Sequence, residues 1–299
     1  MNETTRALIA SASSGMIIGA AMVATGSVVD DAGPVGITFI RYFVGVIFLL
    51  PVAFQVRWRP VSPRDLAAIV ILGIFQFAVL IVLLNFSVIY IEVSLSLLIF
   101  ATLPLQTMLI AIALGQEHFT GRKLIGILLT IVGVGYAVGA TSLAQPLGED
   151  GWWGVLAAFA SALVGALCSV FYRPYLIRYP TSQVSTMAMA ASVLVLAGLA
   201  VAEGLPAALP AFDFNVWAAL IFIGLSSSIG YSCWLYGLRH TVPSNVTVFL
   251  GLSPISAAII AAIFIAQPLT TADIIGSLLV ALGLVVSLWQ RRSKSAAIP

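Results

Sequence analysis

Charge is what this sequence lacks most. Of its 299 residues only 8% are Asp, Glu, Lys or Arg, against roughly 25% in a soluble domain whose surface must be wetted. So little charge excludes a water-exposed globule. The formal net charge of +2 leaves no basic surface for nucleic acid. Cysteine is nearly absent as well. Cys168 and Cys233 lie in separate apolar segments with no metal-ligand spacing, so they imply neither a disulfide nor a metal and read as packing residues. The only histidines are His118 and His240, each at the end of an apolar run. No metal or nucleophile constellation surrounds them, which argues against an enzyme.

What is present is apolar: 61% hydrophobic residues and a mean hydropathy of +1.12. Runs of about 20 such residues cross a hydrocarbon core of roughly 30 Å as helix. Ten are expected, near 7–28, 35–56, 66–86, 93–114, 122–140, 153–172, 183–203, 215–237, 243–265 and 272–290. The first is too long for a signal-peptide core, about 7–15 residues, and no cleavage site follows it, so it is kept as a span. The fold expected is an all-α polytopic membrane protein.

The charges that remain fix a direction. Lys and Arg fall in alternate joints: Arg6; Arg57, Arg59 and Arg64; Arg122 and Lys123; Arg173 and Arg178; Arg239; Arg291, Arg292 and Lys294. The opposite joints carry acids without bases, among them Asp30, Asp31, Glu92, Glu149, Asp150, Glu203, Asp213 and Asp273. Positive loops stay cytoplasmic. Ten spans with both termini in the cytoplasm fit that pattern.

A shift of 150 residues aligns 84–137 with 234–287 without a gap, pairing Ser94 with Ser244, Pro104 with Pro254, Gly126 with Gly276 and Gly133 with Gly283. Five spans per half is an odd number, so the second copy enters the membrane upside down. Inverted repeats of this kind are typical of secondary transporters, with a site near the midplane where the halves meet. The expected division is a first repeat over 1–140, a periplasmic linker over 141–151, a second repeat over 152–290 and a cytoplasmic tail over 291–299.

The segments PVGITFIRYFVG (34–45) and LSLLIFATLPLQTMLIAIALGQEHFTGRKLIGILLTIVGV (95–134), echoed by VTVFLGLSPISAAIIAAIFIAQPLTTADIIGSLLVALGLV (246–285), resemble the EamA family of the drug/metabolite transporter superfamily. Within it the chain is similar to YddG-type exporters of aromatic and other amino acids. The resemblance implies an inner-membrane carrier without cofactors, in which spans 1–4 and 6–9 enclose the cavity and spans 5 and 10 lie outside. Departures exist: the family's Gly-Glu after span 4 is Gln116-Glu117 here, and Ala266-Gln267 in the second half, and Arg41 has no basic counterpart in span 7.

Polar residues inside apolar runs mark the candidate path. In SSSIGYSCWLYG (226–237), Ser227, Tyr231 and Trp234 share one helical stripe. Tyr231 lies about 12 Å deeper than Arg239 at 1.5 Å per residue, too deep for an interfacial belt. Its hydroxyl must face a helix or a wet cavity. Trp234 and Tyr236 suit either the aromatic belt or the path. Gln76, central in span 3, and Gln106 in span 4 serve either as helix–helix glue or as path. Asn245, at the start of span 9, suits a helix cap or the path. Pro104 and Pro254 donate no amide hydrogen, so the carbonyls of Phe100 and Leu250 lose their helical partner; each proline is a kink, a gating point, or a source of acceptors beside a cavity. Arg41 is the one base well inside a span. It could hold a substrate carboxylate or snorkel toward Asp30 or Asp31. No Asp or Glu lies mid-span, so carboxylate-based proton coupling has no obvious carrier. An uncharged, aromatic path suits zwitterions, and facilitated export of amino acids is the expected function. Other neutral metabolites or drugs are the alternative cargo, a channel or a membrane-embedded enzyme the less favoured reading. Lipid and substrate are the expected partners, and a monomer the favoured state.

Overall fold

The computed structural model describes residues 2–28, 33–91, 93–138, 150–264 and 270–288. Every regular element among them is helical. Helix α1 is Glu3–Gly26, its first turn capped by Asn2, which accepts from the Thr5 amide; α2 is Pro34–Gln55. Helix α3 starts at Pro63 behind a Ser62 cap and runs to Ile74, passes through a π-turn at Phe75–Val79, and continues as Leu80–Tyr90. Helix α4 is two pieces, Val93–Phe100 and Leu103–Ala113, and α5 is Gly121–Val138. In the second half α6 is Gly151–Phe171, α7 is Thr181–Glu203 and α8 is Phe214–His240. Helix α9 runs as Pro243–Thr247, a 3-10 segment Val248–Gly251 and Leu252–Phe264, and α10 is Thr271–Leu288.

Nine helices among the described residues are long and apolar enough to cross a membrane. Large apolar side chains such as Phe214, Leu194 and Phe264 face outward, whereas Ser161, Ser169, Ser192 and Ser228 lie fully inside. That inversion of the soluble pattern is what a hydrocarbon solvent selects: with no water available, buried hydroxyls turn to backbone carbonyls, Ser161 to that of Leu80 on α3 (2.8 Å) and others to their own helix. Ser11 donates to the Ala7 carbonyl (2.8 Å), Ser169 to Gly165 (2.7 Å) and Thr130 to Gly126 (3.0 Å). The chain is an all-α polytopic membrane protein.

Small residues set the helix contacts. A Cβ on Gly126 would come within 2.4 Å of the Ser287 amide nitrogen and 2.6 Å of the Gly283 carbonyl; one on Gly133 would meet the Gly276 carbonyl at 2.8 Å. Only glycine fits so close an approach. Gly126 therefore faces Gly283 while Gly133 faces Gly276, so α5 and α10 run antiparallel. Since the offset of 150 equates Gly126 with Gly276 and Gly133 with Gly283, each contact is the image of the other under a two-fold axis between these helices. Gly15 and Gly165, also 150 apart, behave alike: Gly15 packs on Phe249 and Leu252 of α9, Gly165 on Leu103 of α4.

Both prolines sit at a break. Pro104 lies in the first turn after α4 is interrupted at Ala101 and Thr102. Pro254 follows the 3-10 segment of α9. The expected spans 93–114 and 243–265 are each divided near the proline read as a kink, because that position cannot close an i to i−4 hydrogen bond. The π-turn in α3 has no such marker.

Candidate functional site

A cavity of about 330 Å³ lies between the halves, walled by α1–α6, α8 and α9. The two broken helices supply its centre, where Phe100 and Pro104 of α4 meet Leu250, Gly251 and Pro254 of α9. Each break brings backbone that is not regular helix to the cavity wall, where it is tolerated because it borders a cavity and not lipid. The π-turn of α3 places Gln76 and Phe77 on the same wall; single π-turns are frequent at functional sites.

Helix α8 contributes Ser227, Tyr231 and Trp234 from one helical stripe. Their rings continue a cluster across the halves. Tyr231 packs edge-on to Phe77 with centroids 4.5 Å apart, Phe77 contacts Tyr42 at 4.5 Å, and Trp234 stacks on Tyr231 at 5.6 Å. Four cavity-wall side chains carry a buried polar atom with no hydrogen-bond partner among the described residues: the Ser14 hydroxyl, Gln76 Oε1, the Tyr231 hydroxyl and Trp234 Nε1. The Tyr231 and Tyr172 hydroxyls interact electrostatically, but neither completes a hydrogen bond of normal geometry. A buried polar group without a partner costs roughly 1–3 kcal/mol. Four converging on one cavity describe a surface built to hydrate or to bind a polar molecule.

Among the described residues, Arg41 is the one charged side chain on the cavity wall. Its Nε donates to Ser227 Oγ, the Ser227 hydroxyl donates to the Ile223 carbonyl (2.6 Å), and the guanidinium carbon lies 5.7 Å from the Tyr42 ring centroid. Asp30 and Asp31 lie outside the described residues. Among those described, no carboxylate lines the cavity.

Of the residues singled out in the sequence, Gln76, Tyr231, Trp234, Ser227, Phe100, Arg41, Pro104 and Pro254 all border this cavity. Tyr236 does not; its ring lies against His240 at 4.4 Å. Asn245 is buried away from it, with Nδ2 donating to Thr241 Oγ1 at 3.3 Å, and Gln106 likewise bonds Thr102 Oγ1 at 3.0 Å. Spans 1–4 and 6–9 were expected to enclose the cavity, with 5 outside. Instead α5 supplies Thr130 and Val134, and α7 supplies nothing to the wall. Tyr42, Ser14 and Phe77 were not foreseen. Tyr42, beside Arg41, and Ser14 carried an intramembrane hydroxyl signal as Tyr231 did; Phe77 carries none.

One end of the helix bundle is densely packed. Where α3, α7 and α9 begin, Tyr172, Leu176, Leu235 and Leu238 form a fully buried plug beneath Trp234. Two polar clasps cross the halves there. Glu117 Oε1 accepts from the Ser244 amide (3.0 Å), and Oε2 accepts from the Ser244 hydroxyl (2.5 Å) and from Lys123 (2.9 Å). Asp65 accepts from Arg178 (2.6 Å) and from the Tyr179 hydroxyl (2.5 Å).

Comparison with known proteins follows this geometry. Over 266 residues the chain is 25% identical to an uncharacterized transporter of Archaeoglobus fulgidus, covering 86% of this chain and 90% of that protein. It is 27% identical over 242 residues to a protein of Streptantibioticus cattleyicolor named "Probable terminal-alkyne amino-acid exporter", covering 80% and 78%. A protein of known crystal structure, 18% identical, superposes with a TM-score of 0.80 over 96% of this chain and 97% of its own, which establishes the shared fold. Residues 5–138 and 152–289 each match the EamA-like transporter family, and the chain belongs to that family.

Proposed function

We propose that the protein is a carrier exporting amino acids, aromatic and other neutral ones, from the cytoplasm by alternating access. The observation that carries this reading is the cavity itself: an aromatic chamber with four unpartnered buried polar atoms and one cation. A zwitterion with an apolar side chain complements all three features. The relative named as an amino-acid exporter supports the same cargo. No carboxylate among the described residues borders the chamber, so transport down the substrate gradient, without a coupled proton, is the mechanism proposed.

The frame proposed with it has ten spans in two inverted repeats, 1–140 and 152–290, joined by a periplasmic linker and followed by a cytoplasmic tail, in the inner membrane with both termini cytoplasmic. The tenth span is α5, which pairs antiparallel with α10 over its length. In that frame the plug and the two clasps lie on the cytoplasmic side, where Arg178 and Lys123 also lie. The chamber wall then reaches toward the outer face at Met22 of α1 and Leu84 of α3. Parting the clasps and closing the outer end would present the same wall to the cytoplasm.

Counterflow of labelled phenylalanine, methionine or threonine into liposomes loaded with the unlabelled amino acid tests this. Saturable, trans-stimulated uptake is expected. Uptake of none of the three, with another neutral solute moving, would overturn the cargo; flux without saturation would overturn the carrier.

A further inference from the structure

Arg41 is placed where a charge is costly, and the described residues give it no opposite charge. It emerges from α2 in the first half onto the cavity wall, and Ser227 of α8 in the second half takes its Nε hydrogen. The serine has one hydroxyl hydrogen, already committed to the Ile223 carbonyl, so it serves Arg41 only as an acceptor. This holds the guanidinium at Nε and leaves neither terminal amino group in an ion pair; the three ion pairs among the described residues lie elsewhere. The Tyr42 ring beside it contributes a cation–π contact of modest strength, not a neutralising charge. A guanidinium held at Nε and open at its two amino ends has the fork that matches a carboxylate with two parallel hydrogen bonds.

From this we propose that Arg41 and Ser227 form the subsite for the cargo's carboxylate, making Arg41 the residue that selects for a free carboxylate. It rests on the proposed amino-acid cargo and assigns that cargo an orientation. The carboxylate sits at Arg41, between the two halves. The side chain points into the ring cluster of Phe77, Tyr231 and Trp234. The ammonium is left to Gln76 Oε1, an acceptor on the wall with no hydrogen-bond partner among the described residues, and to the Phe100 carbonyl, which Pro104 deprives of its helical amide. A purely structural Arg41, holding α2 to α8 through Ser227, would give the cavity no preference among acid, amide and amine. That is where the two roles separate.

The experiment uses the full-length protein in liposomes, with labelled phenylalanine counterflow competed by unlabelled phenylalanine, phenylalaninamide, phenethylamine and 3-phenylpropanoate. For the wild type, phenylalanine and 3-phenylpropanoate are expected to compete, and the amide and the amine to compete about tenfold to a hundredfold less well, the range of a charged hydrogen-bonded contact. Arg41→Gln is expected to erase that discrimination, and Arg41→Lys, which keeps the charge without the fork, to retain part of it. Should Arg41→Gln fail to fold, the wild-type series and Arg41→Lys decide alone. If phenylalanine moves but its amide and amine compete equally with it, or if Arg41→Gln discriminates as the wild type does, the carboxylate subsite is overturned while amino-acid export stands. If no amino acid moves at all, the cargo itself is overturned, and the subsite with it.

Discussion

At the scale of single residues, a membrane interior makes polar side chains informative because each must be accounted for. Tyr231 and Gln76 were legible for that reason, and both border the cavity. The same rule does not tell a cavity from a neighbouring helix. Asn245 and Gln106 satisfied it as well as Gln76 did, yet each lies away from the cavity, giving its amide hydrogen to a threonine one turn away while its oxygen, like that of Gln76, has no partner among the described residues. What separates them is helix rotation, which a sequence of nearly uniform apolarity does not encode. Tyr231→Ala removes a ring packed on both Phe77 and Trp234 and is expected to cut counterflow of phenylalanine more than tenfold, with the protein still inserted and monodisperse. Tyr231→Phe keeps the ring and removes only a hydroxyl that completes no hydrogen bond with the described residues, so a loss well below that of the alanine variant is expected. Gln76→Ala should impair transport to a similar modest degree. Unchanged flux in both alanine variants would remove these residues from the path.

At the scale of elements, the breaks of α4 and α9 were legible because proline fixes them; the glycines of α5 and α10 were legible as a repeat, but that the two helices pack on each other was not. The π-turn of α3 was not: Phe75–Val79 contains neither proline nor glycine, and its extra residue per turn follows from packing. The close glycine contact makes a definite prediction. In Gly126→Ala the new methyl group would sit 2.4 Å from backbone of α10, which cannot yield as a side chain can, so α5 and α10 must part. Overpacking of that kind costs about 1–3 kcal/mol. Gly198 lies in the interior of α7 with nothing within 4 Å of its added Cβ, so Gly198→Ala should stabilise by up to about 1 kcal/mol through helix propensity alone. Thermal unfolding of the detergent-solubilised protein should therefore show opposite shifts for the two alanines. Equal shifts would mean that the helix pair is not held by this approach.

For the whole molecule, the question is which clasp holds one end of the chamber shut. The two are unequal. Glu117 is almost entirely buried, its side chain 2% exposed and that of Lys123 14%, whereas Arg178 is 59% exposed. An exposed pair is worth at most about 1 kcal/mol, but removing one partner of a buried pair costs about 3–5 kcal/mol because the other charge is stranded. The Glu117 cluster also carries the Ser244 amide and hydroxyl, tying the end of α4 to the start of α9 across the two repeats. Glu117→Gln should consequently release the closed end and shift the population toward the opposite-facing state; Asp65→Asn should do so weakly. The measurement is maleimide labelling, from the outer face, of Met22→Cys in a Cys168→Ala, Cys233→Ala background, since Met22 borders the chamber at the far end of α1 and is 41% exposed. Labelling is expected to slow severalfold in Glu117→Gln and to change little in Asp65→Asn. If the two variants label alike, the buried clasp is not what holds that end closed, and the apolar plug around Tyr172 carries the closure by itself.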